Sequence, residues 1–395
     1  MSKKRIVNFI YPCKNKLVGI DSVLPLLMEL KKRYPDGSVV VFFSHEACYS
    51  KIRKNYHIWK ALKSIEFQSF IVRRNNKIKQ CIEWFRIIAL MAFRKNIIIN
   101  QKDILPYNAQ FVAIMKRLSN TVEIKAFLWE WTIEYHELLE KVFAFGRSKN
   151  TNNSPSPTQT RNKNNRYDYY ISSLNRPLLK KIYGIEVEKE KYHKIGYLKH
   201  LPAWSSFVNK EVASLQRQRE RPYFVYFLSG LHDTTKYLYQ PLEESLYVLK
   251  KYNQQIRTVF KPAFITKMDD FYNLVRKVDY GNYEISYAHP SIISYHAQFA
   301  LAYIFTTALF NAFVMGKPVV VYTQHADPCH YDILGNQTVG GRACDCTIFQ
   351  NPDQLDAILE SLINNQLKIE RDHEFLRENF PKTPPEFWNF WDDIV

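Results

Sequence analysis

The stretch Tyr303-Ile-Phe-Thr-Thr-Ala-Leu-Phe-Asn-Ala-Phe-Val-Met-Gly-Lys-Pro-Val-Val-Val-Tyr322 leaves this chain few architectures. It reads as a strand end, a loop carrying two hydroxyls, a short apolar helix, a glycine stop and a buried strand. The spacing predicts a helix starting at Thr306 or Thr307, whose side-chain oxygens can accept from the orphan N–H groups of a first turn. Gly316 is the expected stop, because glycine tolerates the left-handed conformation that ends helices. After Lys317-Pro318, the β-branched run Val319-Val-Val-Tyr322 suits a strand covered on both faces. A helix N-terminus beside a strand's carboxyl end is where α/β sheets bind phosphate-bearing ligands.

The same alternation runs through the rest of the chain. Ile6–Tyr11 predicts a strand, Leu24–Tyr34 a helix, Pro35-Asp-Gly37 a turn and Val39–Phe43 a second buried strand. Strand, helix and strand at this spacing make a βαβ unit, hence a parallel sheet. Further strands are predicted near Phe67–Val72, Ile97–Asn100 and Val122–Leu128, with Tyr167–Ser173 as the last of this half. The segment 147–166, rich in Asn, Ser and Pro, is expected to be a disordered insertion. A second α/β pattern opens at Tyr223–Leu228. It continues through a helix at Pro241–Tyr252, a strand at Arg257–Lys261, a helix at Asp269–Val275, a strand near Tyr283–Tyr287 and a helix near Leu355–Asn364. The break between the two is expected near Pro202–Arg221, in a Gln/Arg/Glu-rich stretch. The chain is therefore predicted as α/β, with two doubly wound Rossmann-like domains at 1–205 and 206–380. The aromatic tail 381–395 (Phe387-Trp-Asn-Phe-Trp391 at its centre) should not be left in water.

With 395 residues and 46% hydrophobic side chains, two such cores can be filled. The excess of 55 Lys and Arg over 38 Asp and Glu gives +17 and draws the chain to polyanions. No zinc-finger spacing or aromatic RNA-binding signature accompanies that charge, so specific nucleic-acid binding is not expected. The first ten residues lack the apolar core, about 7–15 residues long, of a secretion signal, and no run reaches the ~18 apolar residues of a membrane-spanning helix. The six cysteines then read as reduced thiols of a cytoplasmic protein. His325, Cys329, His330, Cys344 and Cys346 cluster in sequence but match no structural zinc spacing, so no metal is expected.

The order of hydroxyl pair, Ala-Leu, Asn-Ala, Gly-Lys-Pro and apolar strand in residues 306–322 resembles the donor-site segment of GT-B glycosyltransferases. Those enzymes usually carry Ser/Thr-Thr-Ala-x-x-Glu-Ala followed by Gly-Lys-Pro-Val. Asn311 stands where many of them have the glutamate that holds the donor's ribose or sugar hydroxyls. Val18–Pro35 resembles the heptosyltransferase opening, with one residue inserted between Gly19 and Asp21. That resemblance implies Asp21 at the first strand–helix junction as base toward the acceptor hydroxyl; a carboxylate there is equally an ordinary N-cap. Glu130, between Trp129 and Trp131, is the rival base, or else an acid paired with a lysine beside a core-roofing pair of tryptophans.

Phe260-Lys-Pro-Ala-Phe264 resembles the Lys-Pro-His-Pro segment of capsule and sialic/Kdo-type transferases, with Ala263 in place of the histidine. The likeness implies Lys261 as a phosphate counter-charge, against the plain alternative of a solvated strand end. His289, before Pro290, falls where other GT-B donor sites hold the base or its ribose, and is otherwise a loop histidine. Ser229 and Gly230 follow the second domain's first strand, where a diphosphate would meet free N–H groups or a turn would simply form.

The resemblance implies two domains facing a cleft, an acceptor-side first domain, a nucleotide-sugar-binding second domain, and a C-terminal helix crossing back to the first. It implies metal-independent transfer from a nucleotide-sugar donor to a surface-polysaccharide or lipid-linked saccharide, without a further cofactor, since no Asp-x-Asp motif sits at a strand end. The basic amphipathic stretch 77–95 suits an anionic membrane surface, which would make the protein peripheral on the membrane's inner face, or else it is a packed helix with solvated lysines. Two rivals stay open. A nucleotide-sugar 2-epimerase shares the fold but carries Asp-Ser-Gly-Gly and a glutamate where this chain has Phe305-Thr-Thr-Ala308. An inactive GT-B scaffold or polyanion-binding protein would account for Asn311 and Ala263.

Overall fold

The structure, a computed structural model, describes all residues except 1–5, 14–16, 72–76, 93, 102–115, 118, 129–166, 217–220, 229–238, 264–265, 304–305, 324–343, 368, 370 and 372. The insertion expected at 147–166 lies outside the described residues, as do Glu130, Ser229 and Gly230. The described residues up to Phe207, joined by Pro381–Val395, make one compact unit, and Val208–Phe380 makes another.

In the first unit the strands are β1 (Val7–Cys13), β2 (Ser38–Phe43), β3 (Gln68–Ile71), β4 (Lys95–Asn100), β5 (Thr121–Phe127), β6 (Tyr169–Ser172) and β7 (Tyr192–Lys194). They form one parallel sheet ordered β3-β2-β1-β4-β5-β6-β7. Phe9, Ile10, Val39, Val40, Ile97 and Ile98 are buried, as a sheet covered on both faces requires. Tyr169–Ser172 is not the last strand of this half, because the three-residue β7 pairs beyond it. So short a segment, Tyr-His-Lys, carries no alternating or continuous apolar signal.

The first helix spans Leu17–Arg33, seven residues longer at its start than the Leu24 periodicity suggests. Gly19, Asp21 and Ser22 dilute the apolar pattern there, and Pro25 lies inside the helix. The stretch expected as an interdomain break holds a helix, Pro202–Gln216, and the unit boundary at Phe207 falls within it. Polar residues on its outer face hid its period.

The second unit contributes β8 (Tyr223–Leu228), β9 (Arg257–Pro262), β10 (Tyr283–Ile285), β11 (Ala300–Ala302), β12 (Val319–Thr323) and β13 (Cys346–Phe349). This sheet is also parallel, ordered β10-β9-β8-β11-β12-β13. Its aromatic core joins Phe224, Tyr226, Phe260, Phe271 and Tyr303, with Phe224 and Phe299 stacked at 4.6 Å.

The tail helix Pro385–Ile394 belongs to the first unit. Phe390 stacks on His193 at 3.7 Å, Trp391 meets Phe9 edge-on at 6.0 Å, and Arg33 lies 4.0 Å over Trp388. Each buried aromatic contributes about 1.5–3 kcal/mol, which keeps this short helix docked. The returning chain passes directly against Gly196, where a Cβ would overlap the backbone of Pro381–Thr383. Tyr197 N–H donates to the Pro381 carbonyl at 2.7 Å and Gly196 N–H to Thr383 Oγ1 at 3.2 Å, fixing the crossing. Among the described residues no helix is long and apolar enough to cross a membrane.

Candidate functional site

In each sheet the strand order reverses once, between β1 and β4 and between β8 and β11. Open parallel sheets bind ligands beyond the carboxyl ends of the strands at such switch points.

In the first unit, side chains from the two strand ends meet at that point. Tyr11, near the end of β1, donates its hydroxyl to Gln101 Oε1 at 2.8 Å, and burial holds the phenol well above its ordinary pKa. Gly19 leaves room for this pair, since a Cβ there would lie 3.0 Å from the Tyr11 hydroxyl. Asp21 is not at the strand–helix junction; it occupies the helix's second turn. Pro25, four residues on, has no N–H to give the Asp21 carbonyl. The Lys199 ammonium does so instead, at 3.3 Å, while also binding Asp21 Oδ1 at 2.9 Å and lying 4.6 Å over the Trp204 ring. The pair therefore repairs a helix interrupted by proline. Nearby, the Cys13 and Cys48 sulfurs lie 3.8 Å apart, and the Cys48 thiol is pulled down by its bond to Cys13, with Ser44 and Lys51 adding to the effect.

In the second unit the candidate residues gather at the carboxyl edge. Register sets both Lys261 of β9 and Ala302 of β11 level with Phe227 of the intervening β8. At a strand spacing near 4.8 Å, the backbones of Lys261 and Ala302 are about 10 Å apart across the switch. Lys261 Nζ reaches the Pro262 carbonyl at 3.1 Å. Four residues beyond Ala302 comes the half-buried turn Thr306-Thr307, and four beyond Ile285 of β10 comes buried His289.

The helix does not start at the threonines: it spans Leu309–Val314 and has no side-chain cap. Thr306 instead closes a turn, its Oγ1 accepting from Ala308 N–H at 3.5 Å, and its carbonyl accepts from Leu309 N–H. No hydrogen bond among the described residues uses the backbone N–H of Thr306 or Thr307. The helix ends as expected. Gly316 has φ 76° and, with Lys317 N–H bonding back to Ala312 and Gly316 N–H to Phe313, completes a Schellman motif.

His289 Nδ1 accepts from Ser291 N–H at 3.1 Å, capping the single turn Pro290–Ile293. With Nδ1 as acceptor, the proton of the neutral ring belongs on Nε2. Ser291 Oγ donates to Asn311 Oδ1 at 2.6 Å, and Asn311 Nδ2 reaches the Ala308 carbonyl at 3.3 Å. The post-β10 and post-β11 segments are thus joined through two buried polar side chains. Behind them, Arg371 forks onto Asp345 at 2.9 and 2.7 Å and also donates to the carbonyls of Phe313 and Lys317. Asp345 Oδ2 in turn accepts from Val319 N–H at 2.8 Å. This clamp holds the helix end and the start of β12 as one piece.

Lys261, His289, Thr306, Thr307 and Asn311 therefore share one sheet edge. Sequence reasoning missed Ser291, Lys199, Asp345 and Arg371. For Lys199 a signal existed, because an internal proline announces a carbonyl needing another donor. Arg371 stands in a polar stretch with no periodic signal. Among the described residues no group of three His, Cys, Asp or Glu side chains could hold a metal, and Cys329, His325 and His330 lie outside them.

No family model and no curated protein matches the sequence. Solved structures do match. UDP-GlcNAc 2-epimerase from Methanocaldococcus jannaschii superimposes with a TM-score of 0.58 at 11% identity, covering 98% of this chain and 99% of that one. A further UDP-N-acetylglucosamine 2-epimerase gives 0.53 at 11% identity, over 98% and 94%. The S. aureus MnaA–UDP co-structure gives 0.51 at 10% identity, over 99% and 98%. Identities this low speak for the fold alone. Two parallel Rossmann-like sheets, each with its own switch point, a returning C-terminal helix and these full-length superpositions establish that the chain has the GT-B fold.

Proposed function

We propose that this protein is a metal-independent glycosyltransferase. Its nucleotide-sugar donor binds at the carboxyl edge of the second sheet, and its acceptor is a surface-polysaccharide or lipid-linked saccharide. One observation carries the proposal: at the β8/β11 switch, Lys261, the Thr306-Thr307 turn and the Ser291–Asn311 pair collect on adjoining strand ends. Backbone N–H groups and an ammonium suit a diphosphate and would stabilise the charge developing on it as the sugar departs. Asn311 lacks the charge of the glutamate common at this position and, buried between Ser291 and the Ala308 carbonyl, would hold the turn in place behind the donor. UDP is the first nucleotide to try, because it is the ligand of the S. aureus co-structure.

A 2-epimerase is the second reading. The epimerase superpositions support it, and Phe305-Thr-Thr-Ala308, in place of Asp-Ser-Gly-Gly, opposes it. Calorimetric titration of UDP, CMP, GDP and ADP tests the donor site; no heat with any of them at about millimolar concentration overturns it. UDP-GlcNAc followed by NMR in deuterated water then separates the two chemistries. An epimerase inverts C2 with no acceptor present, whereas a transferase releases UDP only when a saccharide acceptor is added.

A further inference from the structure

We infer that the helix Lys77–Met91 docks the protein onto an anionic lipid bilayer through an apolar stripe on its outward face. The inward face is accounted for. Ile87 and Met91 are buried against Ile10, Val40, Phe70 and Ile98, with Trp84 and Leu90 packed alongside. An ordinary surface helix would be polar opposite such a face. This one instead exposes Ile78 (75%), Ile82 (54%) and Phe85 (72%). At 100° per residue these three, with exposed Ala89, fall within about 60° of arc, opposite Ile87.

The concentration is specific to this element. Apart from Ile6, every other exposed large hydrophobic among the described residues is a tyrosine, whose hydroxyl has reason to face water. A helix apolar on both sides is stable in water only at a cost, and a second apolar medium removes it.

Charge selects the occupant. Exposed Lys79 and Arg86 flank the stripe, Arg86 pairing with Glu83 at 3.2 Å. From Val72 to Lys95 the sequence has seven basic residues and one acid, Glu83; seven minus one gives +6 of the chain's +17 within 24 residues. A second copy would set this net-positive segment against itself, which disfavours self-association. Anionic headgroups complement the basic flank while the acyl boundary takes the isoleucines and the phenylalanine. This docking is independent of the donor site, and the two are measured separately.

The test is flotation of the full chain with phosphatidylcholine vesicles, with and without phosphatidylglycerol. Wild type should float with the anionic vesicles, less with the neutral ones, and be released in part by salt. The triple variant Ile78→Ser/Ile82→Ser/Phe85→Ser should lose about a hundredfold in partitioning while melting and titrating UDP as wild type does. The exposed positions make misfolding unexpected; if it occurs, the single variants Ile78→Ser and Phe85→Ser carry the same test, each with a smaller loss. Equal binding to neutral and anionic vesicles, or unchanged binding of the serine variants, overturns the inference. So does a vesicle-free dimer that the triple variant abolishes, which would assign the face to a second copy.

Discussion

Arg371 is the residue whose loss should cost the second unit most for the least change in volume. Its guanidinium binds both oxygens of Asp345, donates to two carbonyls and lies 4.1 Å from the Phe313 ring. The Asp345 side chain is only 6% exposed. Arg371→Met keeps the stacking against Phe313 but leaves that carboxylate buried without its partner. Breaking a buried pair from one side costs about 3–5 kcal/mol, because desolvation of the remaining charge is no longer offset. At about 2–4 °C per kcal/mol for a domain of this size, the melting transition of the second unit should fall by about 6–20 °C. Differential scanning calorimetry of the full chain reads this, and amide exchange across Leu309–Val314 locates it, since the clamp holds that helix end. The double variant Arg371→Met/Asp345→Asn should recover part of the loss, because asparagine can still accept from Val319 N–H without a buried charge. A single variant melting within about 2 °C of wild type would show that the buried pair does not hold this unit together. A double variant no more stable than Arg371→Met would show that the orphaned carboxylate is not the cause.

Asp21→Asn should lower turnover by about 10²–10⁴ with UDP affinity retained if the carboxylate serves as general base. Lys199→Met, which removes only the partner, should cost stability and little turnover; matching losses in both variants would leave Asp21 a purely structural role. The first unit should weaken in acid. Burial pushes the His193 imidazole below its ordinary 6.5, and burial, then Lys382, does the same to His200. Among the described residues His193 Nε2 has no hydrogen-bond partner, so a proton there is disfavoured in the folded state. Because the unfolded chain takes up those protons first, stability is full above pH 6.5 and declines as pH falls below it. His193→Phe should flatten that acid limb in melting curves followed by tryptophan fluorescence, and an unchanged limb would exclude the histidine. Gly196→Ala should cost about 3 kcal/mol, the upper end for overpacking, because the obstructing atoms are backbone and cannot swing aside. Faster proteolytic removal of the tail is the readout, and wild-type resistance would show that the crossing can shift.

What could be foreseen in this chain follows the range of the interactions involved. Val39–Phe43, Tyr223–Leu228 and Val319–Tyr322 were legible because a strand buried on both faces is a local, continuous apolar run. Ala300–Ala302 has no β-branched residue, so only a strand end at Tyr303 was expected, and pairing with β8 and β12 defines the strand itself. Gly316 was legible because a left-handed helix stop is a property of one residue. Thr306 and Thr307 misled because a hydroxyl that can cap a helix can equally close the turn before it. The candidate site was visible residue by residue, yet its connections were not. Ser291 meets Asn311 across 20 residues, Arg371 meets the Phe313 carbonyl across 58, and Lys199 meets Asp21 across 178. Arg371 adds a donor to the Phe313 carbonyl, which already accepts from Gly316 N–H, and ties it to Asp345. Lys199 instead supplies a long cation to the Asp21 carbonyl, which Pro25 leaves without its helical donor. A vacancy of this kind is written locally, while the residue that fills it can come from any part of the chain that the topology brings near. The bare carbonyl opposite Pro25 is thus the half of the contact that local sequence shows, and Lys199 is the half that only the fold supplies.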